Sequence, residues 1–128
     1  MKNVKLERKE RLEFYFGPSF VPGGYAWIFP AGLTKAKVGM ATLLPQKSKL
    51  DLVGRLKKFS ATNPQTMSAV QTDLHSGSFF ANGGIKNHTL NGFVAIGDAA
   101  AQANPLAGEG IRHALYSGLF AAEAIDTA

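Results

Sequence analysis

Apolar and polar positions change rhythm twice along the 128 residues, near Ser48 and again near Ser76. Before Ser48 the rhythm belongs to strands. RLEFYF at 11–16 is aromatic and β-favouring, GPSFVPGG at 17–24 is turn-rich, and YAWIFP at 25–30 alternates large rings with smaller side chains. That two-residue period puts Tyr25, Trp27 and Phe29 on one strand face. KAKVGMATLL at 35–44 resumes an extended pattern, so 25–44 reads as an antiparallel hairpin.

From Ser48 the period lengthens. Ser48 suits a helix N-cap, and Asp51 stands three residues on, where a capping-box acid belongs. Leu50, Val53, Leu56 and Phe59 then fall near one face, and Arg55, Lys57 and Lys58 suit the negative end of a helix dipole. Asn63-Pro64 predicts a second cap and a short helix over 64–70. Beyond Ser76, glycine and asparagine imply turns around a short strand at Ser78–Ala81. Phe93–Ile96 forms a continuous apolar run, the pattern of a strand buried on both faces of a parallel sheet. Ile111, Leu115, Gly118 or Leu119, Ala122 and Ile125 then recur at helical spacing, predicting a long amphipathic helix to about residue 126.

Composition narrows the class. A hydrophobic content of 45% is ordinary for a globular chain. The net charge of +5 is uneven: Lys2, Lys5, Arg8, Lys9 and Arg11 crowd the first eleven residues, interleaved with Glu7 and Glu10. This suits a solvated strand face better than a nucleic-acid stripe, and no nucleic-acid partner is expected. Zero cysteines exclude disulfides and thiolate metal sites within the chain. His75, His88 and His113 lack metal-ligand spacing, so no metal is expected and each histidine is expected at the surface or in a cap. Arg112 and His113, on the first turn of the last helix, are expected to face water. No signal peptide or spanning segment is visible, which makes the cytoplasm the expected compartment.

The candidate chemistry lies near the end. A strand runs into Gly97-Asp98, then into a loop holding Pro105, Gly108 and Gly110, then into a helix. This order sets free backbone N–H groups and a positive dipole end beyond a strand's carboxyl edge, where α/β folds bind ligands. Gly108 and Gly110 would let a flat or anionic ligand approach the main chain, and Asp98 offers an acceptor for hydroxyls. The same residues equally suit a bare tight turn with Asp98 as a cap.

The stretch GFVAIGDAAAQANPLAGEGIRHALYSGLFAAEAI resembles the second flavin-binding motif of FAD-dependent oxidoreductases with the para-hydroxybenzoate hydroxylase type of fold. Together with GGYAWIFP, it is most similar to the geranylgeranyl reductase group. The resemblance implies an α+β fold: an antiparallel sheet of a substrate domain with helices, plus the last strand and helix of a flavin-binding domain. Residues 1–75 would form part of the substrate-binding domain. Residues 76–128 would hold its end and the C-terminal strand–loop–helix of the FAD-binding domain.

Carried onto this chain, the resemblance implies that Asp98 hydrogen-bonds the ribityl or phosphate part of FAD. Pro105 and Gly108 shape the loop, and Gly110 and Ile111 offer main-chain contacts near the flavin's pyrimidine edge. Glu109 is expected to point away from the ring. Tyr25, Trp27, Phe29 and Pro30 would line a cavity for an isoprenoid or other apolar substrate, with the Tyr25 hydroxyl as a candidate to orient a polar head or donate a proton. The implied chemistry is reduction of carbon–carbon double bonds in prenyl lipids, with peripheral membrane association of a larger parent allowed. A flavin monooxygenase, an electron-transfer dehydrogenase and a non-enzymatic interaction module are the competing readings.

No GxGxxG loop in strand–helix context occurs in the sequence, so the segment that grips the ADP half of FAD is missing. The chain is therefore expected to be a C-terminal-side fragment, inactive in isolation. Its Gly-Asp strand, lacking parallel neighbours, is expected to join the antiparallel hairpin or to pair between chains in a homo-oligomer.

Overall fold

The computed structural model describes residues 1–43 and 50–127. The fold is α+β and the chain forms two compact units, Met1–His75 and Ser76–Ala128.

In the first unit, β1 (Glu13–Phe16), β2 (Gly24–Pro30) and β3 (Ala36–Thr42) form an antiparallel sheet in the order β1-β2-β3. Alternation along β2 sends Ala26 and Ile28 inward, both fully buried. Phe59 of α1 (Leu52–Thr62), together with Val4 and Ala36, completes that core. Tyr15, Phe20 and Phe59 interlock edge-to-face, with centroids 5.0 to 5.9 Å apart.

The helix starts later than its sequence pattern implies. Leu52 is its first residue and Asp51 is its N-cap, the Asp51 carboxylate accepting from the Gly54 N–H at 2.8 Å; Ser48 lies outside the described residues. A Cβ on Gly54 would run into that carboxylate, which explains a glycine inside a helix. With the helix extending to Thr62, Arg55, Lys57 and Lys58 sit in its middle rather than at its negative end. Val53 is exposed, and Phe59 anchors the buried face.

Residues 64–68 form turns and Val70 an isolated bridge, instead of a helix over 64–70. The Thr66 and Met67 N–H groups both bond the Asn63 carbonyl, but the Gln65 carbonyl accepts from Lys5 N–H. Val70 then exchanges both backbone hydrogen bonds with Lys2 at 2.9 Å. Tertiary partners claim the groups a helix would need. Gln65 is buried and satisfied: its amide donates to Glu13 at 2.7 Å and accepts from the Glu7 N–H at 3.0 Å. Burial and then the hydrogen bond to Glu13 push the neighbouring Tyr15 phenol above its ordinary pKa.

The second unit is built from short pieces. β4 (Thr89–Leu90) and β5 (Phe93–Val94) pair antiparallel across Asn91-Gly92, with Gly92 at φ +72°. The expected doubly buried strand at 93–96 is not formed. Phe93 is exposed and the pairing stops at Val94, because the only neighbour among the described residues is two residues long. Ser78–Ala81 likewise contributes a single bridge, Ala81 to Gln102, in place of a strand. A 3-10 helix at Gly97–Ala100 follows, closed by Ala101 in a left-handed conformation, and α2 (Ile111–Asp126) ends the unit. No helix among the described residues is long and apolar enough to cross a membrane.

Candidate functional site

The outward face of the first unit's sheet is aromatic. Register puts Phe14 opposite Trp27 and Phe16 opposite Tyr25. The five rings of Phe14, Phe16, Tyr25, Trp27 and Phe29 form a continuous array with centroids 5.2 to 6.2 Å apart. Trp27 lies across Gly39 on β3, and a Cβ there would stand 2.3 Å from its ring. A glycine at that register position lets the indole lie flat. Phe14 and Phe16 remain exposed, while Tyr25, Trp27 and Phe29 are half-buried. Among the described strand residues of this face, Tyr25 carries the one hydroxyl. Pro30 alternates to the opposite side with Ala26 and Ile28 and pairs with Ala36. Phe14 and Phe16 were missed as members of the face, although RLEFYF places them two apart, the spacing that marked Tyr25, Trp27 and Phe29.

The Gly-Asp loop of the second unit is set by backbone conformation. Gly97 sits at φ +59° and donates to the Gln102 side chain at 2.7 Å. A Cβ on Gly97 would come within 3.0 Å of the Ala114 methyl, so a glycine lets α2 close against the 3-10 turn. Asp98 follows with its carboxylate exposed, free of hydrogen bonds and ion pairs among the described residues. Asn104 turns the chain around exposed Pro105: its side chain accepts from Leu106 N–H at 2.8 Å, and its carbonyl from Gly108 N–H at 2.8 Å. Gly108 sits at φ +65°. Gly110 is the N-cap of α2 without a side-chain cap, and its missing Cβ faces Ala103. Ile111 begins the helix, exposed.

Glu109 folds over the helix start. Its carboxylate accepts from the Arg112 N–H at 3.1 Å and stands 3.4 Å from both the Arg112 guanidinium and His113 Nδ1. Partial desolvation pushes this carboxyl upward, but the hydrogen bonds from Arg112 and the charges of Arg112 and His113 hold it below the ordinary carboxylate value. Arg112 does face water; His113 is tucked beside Glu109, half-covered.

A flavin fits this loop on local grounds. Two glycines open the main chain and Asp98 has an uncommitted carboxylate, while the Glu109 carboxylate occupies the Arg112 N–H at the helix start. An open groove of about 400 Å³ adjoins it, lined by Gln102, Asn104, Pro105, His113, Tyr116 and Phe120 among others. No group of three or more His, Asp or Glu side chains among the described residues could hold a metal ion.

Residues 1–77 match the family described as the geranylgeranyl reductase catalytic domain. Digeranylgeranylglycerophospholipid reductase from Methanocaldococcus jannaschii is 36% identical over 123 residues, covering 96% of this chain and 31% of the relative. Digeranylgeranylglycerophospholipid reductase 2 from Methanosphaera stadtmanae is 36% identical over 121 residues, covering 94% and 30%. A crystal structure of a geranylgeranyl bacteriochlorophyll reductase-like protein from Thermoplasma acidophilum has a TM-score of 0.85 at 30% identity, covering 98% of this chain and 32% of that one. The chain spans about a third of the length of these relatives.

Proposed function

This chain belongs to the geranylgeranyl reductase family, and from that premise we propose that it is part of a flavin-dependent reductase of prenyl-lipid double bonds. The observation that carries the reading is the aromatic face: five rings on one side of the sheet form a wall suited to a long apolar chain. Phe14, Phe16, Tyr25, Trp27 and Phe29 bind and straighten an isoprenoid. Tyr25 orients its polar head or delivers a proton from its hydroxyl.

In the second unit, Asp98 would hold the ribityl or phosphate part of FAD, and the main chain at Gly110 and Ile111 would meet the pyrimidine edge. FAD supplies the reducing electrons when bound. The N-terminus of α2 favours added negative charge nearby by about 0.3 to 1 kcal/mol, which raises electron affinity at that position. Glu109 opposes it, so its carboxylate must swing off the Arg112 N–H for the helix end to act on a ligand. Because the sequence contains no GxGxxG loop, the chain alone is expected to hold FAD weakly and to reduce nothing.

Two titrations test the reading. A geranylgeranyl phospholipid in detergent should quench Trp27, the sole tryptophan, and Trp27 emission indifferent to that lipid would remove the substrate wall. FAD added to the chain should keep its free fluorescence; tight binding with a perturbed spectrum would overturn the expectation of inactivity.

A further inference from the structure

One end of the first unit's sheet gathers cations around exposed aliphatic tips. This is the end where β2 finishes and β3 begins, and β1 also starts there, Glu13 pairing with Ile28 near the close of β2. Arg11 and Leu12 precede β1 at this end, and the turn from Ala31 to Lys35 closes it, with the Ala31 N–H bonded to the Lys35 carbonyl at 2.8 Å. The N-terminal segment is tied to the same place: Lys2 bridges Lys35, and Val4 N–H bonds the Thr34 carbonyl. Register sets Lys37 opposite Phe29 on the aromatic face.

Lys2, Arg11, Lys35 and Lys37 are all exposed, and Lys5, Arg8 and Lys9 lie in the same N-terminal segment. Against these seven cations stand Glu7 and Glu10, while Glu13 is engaged by Tyr15 and Gln65. None of the seven makes an ion pair among the described residues. At the same end of the sheet Leu12 precedes β1 and Leu33 sits in the turn before β3, 62% and 72% exposed. A leucine exposed at a turn tip gains nothing from water or from the sheet's own core.

We propose that this end of the sheet docks on an anionic bilayer surface. Leu12 and Leu33 enter the headgroup–acyl boundary, Lys2, Arg11, Lys35 and Lys37 meet lipid phosphates, and the aromatic face begins directly behind them at Phe14 and Phe29. The chemistry is that of interfacial anchoring: aliphatic tips supply insertion, long basic side chains reach to phosphate, and aromatic rings tolerate the boundary. A nucleic-acid surface fits less well. Its bases need ring faces presented for stacking, whereas Phe14 turns edge-on to Phe29 at 5.2 Å and aliphatic tips stand in front. Docking rests on the charge and the tips alone; only the handover of a lipid chain to the aromatic face rests on the reductase reading.

The test is sedimentation of the whole chain with vesicles of equal parts phosphatidylglycerol and phosphatidylcholine, beside vesicles of phosphatidylcholine alone. Binding should be confined to the anionic vesicles and should weaken at high salt. Each basic residue near such a surface contributes about 1 kcal/mol, so Lys2→Gln with Lys35→Gln and Lys37→Gln should lower partitioning on the order of a hundredfold. Leu33→Asp should also weaken it, and Lys57→Gln with Lys58→Gln on α1 should leave it within about twofold. Circular dichroism matching the parent chain establishes that each variant is folded. Indifference to anionic vesicles, equal binding to both compositions, or an equal loss in the α1 variant would each overturn the proposal. So would displacement from vesicles by duplex DNA that itself binds through the three lysines. No flavin or prenyl lipid enters the assay, so failure of the reductase reading leaves the result standing.

Discussion

Among the described residues, the buried apolar side chains of the N-terminal unit are Val4, Val21, Ala26, Ile28, Ala36 and Phe59, whereas those of the C-terminal unit are Ala100, Ala101 and Ala103. The charges divide as unevenly. Residues 1–75 carry twelve lysines and arginines against five carboxylates, a net of +7, while residues 76–128 carry two against four, a net of −2. The first unit therefore has a core with substantial apolar area removed from water, at about 25 cal/mol per Å². The second is held by backbone turns and small-residue contacts: Gly97 against Ala114, Gly110 against Ala103, Gly118 against Ile96. The large side chains of α2, Ile111, Leu115, Leu119 and Ile125, stay exposed. A unit closed by methyl groups opens more readily than one closed by Ile28 and Phe59, so the two should unfold at different free energies.

The sharpest way to test that contrast is Ile28→Ala. Removing a fully buried isoleucine should cost the first unit about 2 to 5 kcal/mol, measured as an earlier denaturant midpoint in Trp27 fluorescence. Gly97→Ala should act on the second unit instead. Its φ of +59° and the 3.0 Å approach to Ala114 predict a loss of about 1 to 2 kcal/mol, seen as faster amide exchange in α2 while Trp27 reports no change. Leu115→Ala, a large apolar side chain removed from α2, should shift stability by no more than about 0.5 kcal/mol, because Leu115 is exposed. A loss comparable to that of Ile28→Ala would mean this helix face is covered in solution.

The smallest effect concerns pH. Glu109 has its carboxyl held below the ordinary value in the fold, so its support for the start of α2 is present above the unfolded carboxylate pKa and disappears as pH falls through the lower folded value. Amide exchange at Arg112 should accelerate relative to mid-helix amides only in that acidic window, and Glu109→Gln should remove most of the pH dependence.

The readability of the chain follows the same division. The sheet of the first unit was legible because alternation in YAWIFP reports directly which side chains face inward, and Ala26 and Ile28 do. The end of the chain was legible in order but not in pairing. The apolar run at 93–96 looks like a doubly buried strand, yet a strand needs neighbours, and only Thr89–Leu90 pairs with it among the described residues. The hairpin through Asn91-Gly92 has a local signal, an Asn-Gly pair between β-favouring residues. Likewise the large apolar stripe of α2 implied the packing face, but inside this unit the helix packs through Gly110, Ala114 and Gly118.

By itself the sequence determined the helix of 111–126, the extended segments of the first unit and the shared face of Tyr25, Trp27 and Phe29. Each follows from local periodicity and steric preference, which neighbouring residues impose within a few positions. Tertiary structure alone decided that residues 64–68 would be turns, with Gln65 and Val70 bonded to Lys5 and Lys2, and that Lys2, Arg11, Lys35 and Lys37 would share one end of a sheet. Those outcomes depend on which distant backbone groups and charges meet, and on the free energy of satisfying them once buried or crowded, quantities that no window of sequence contains.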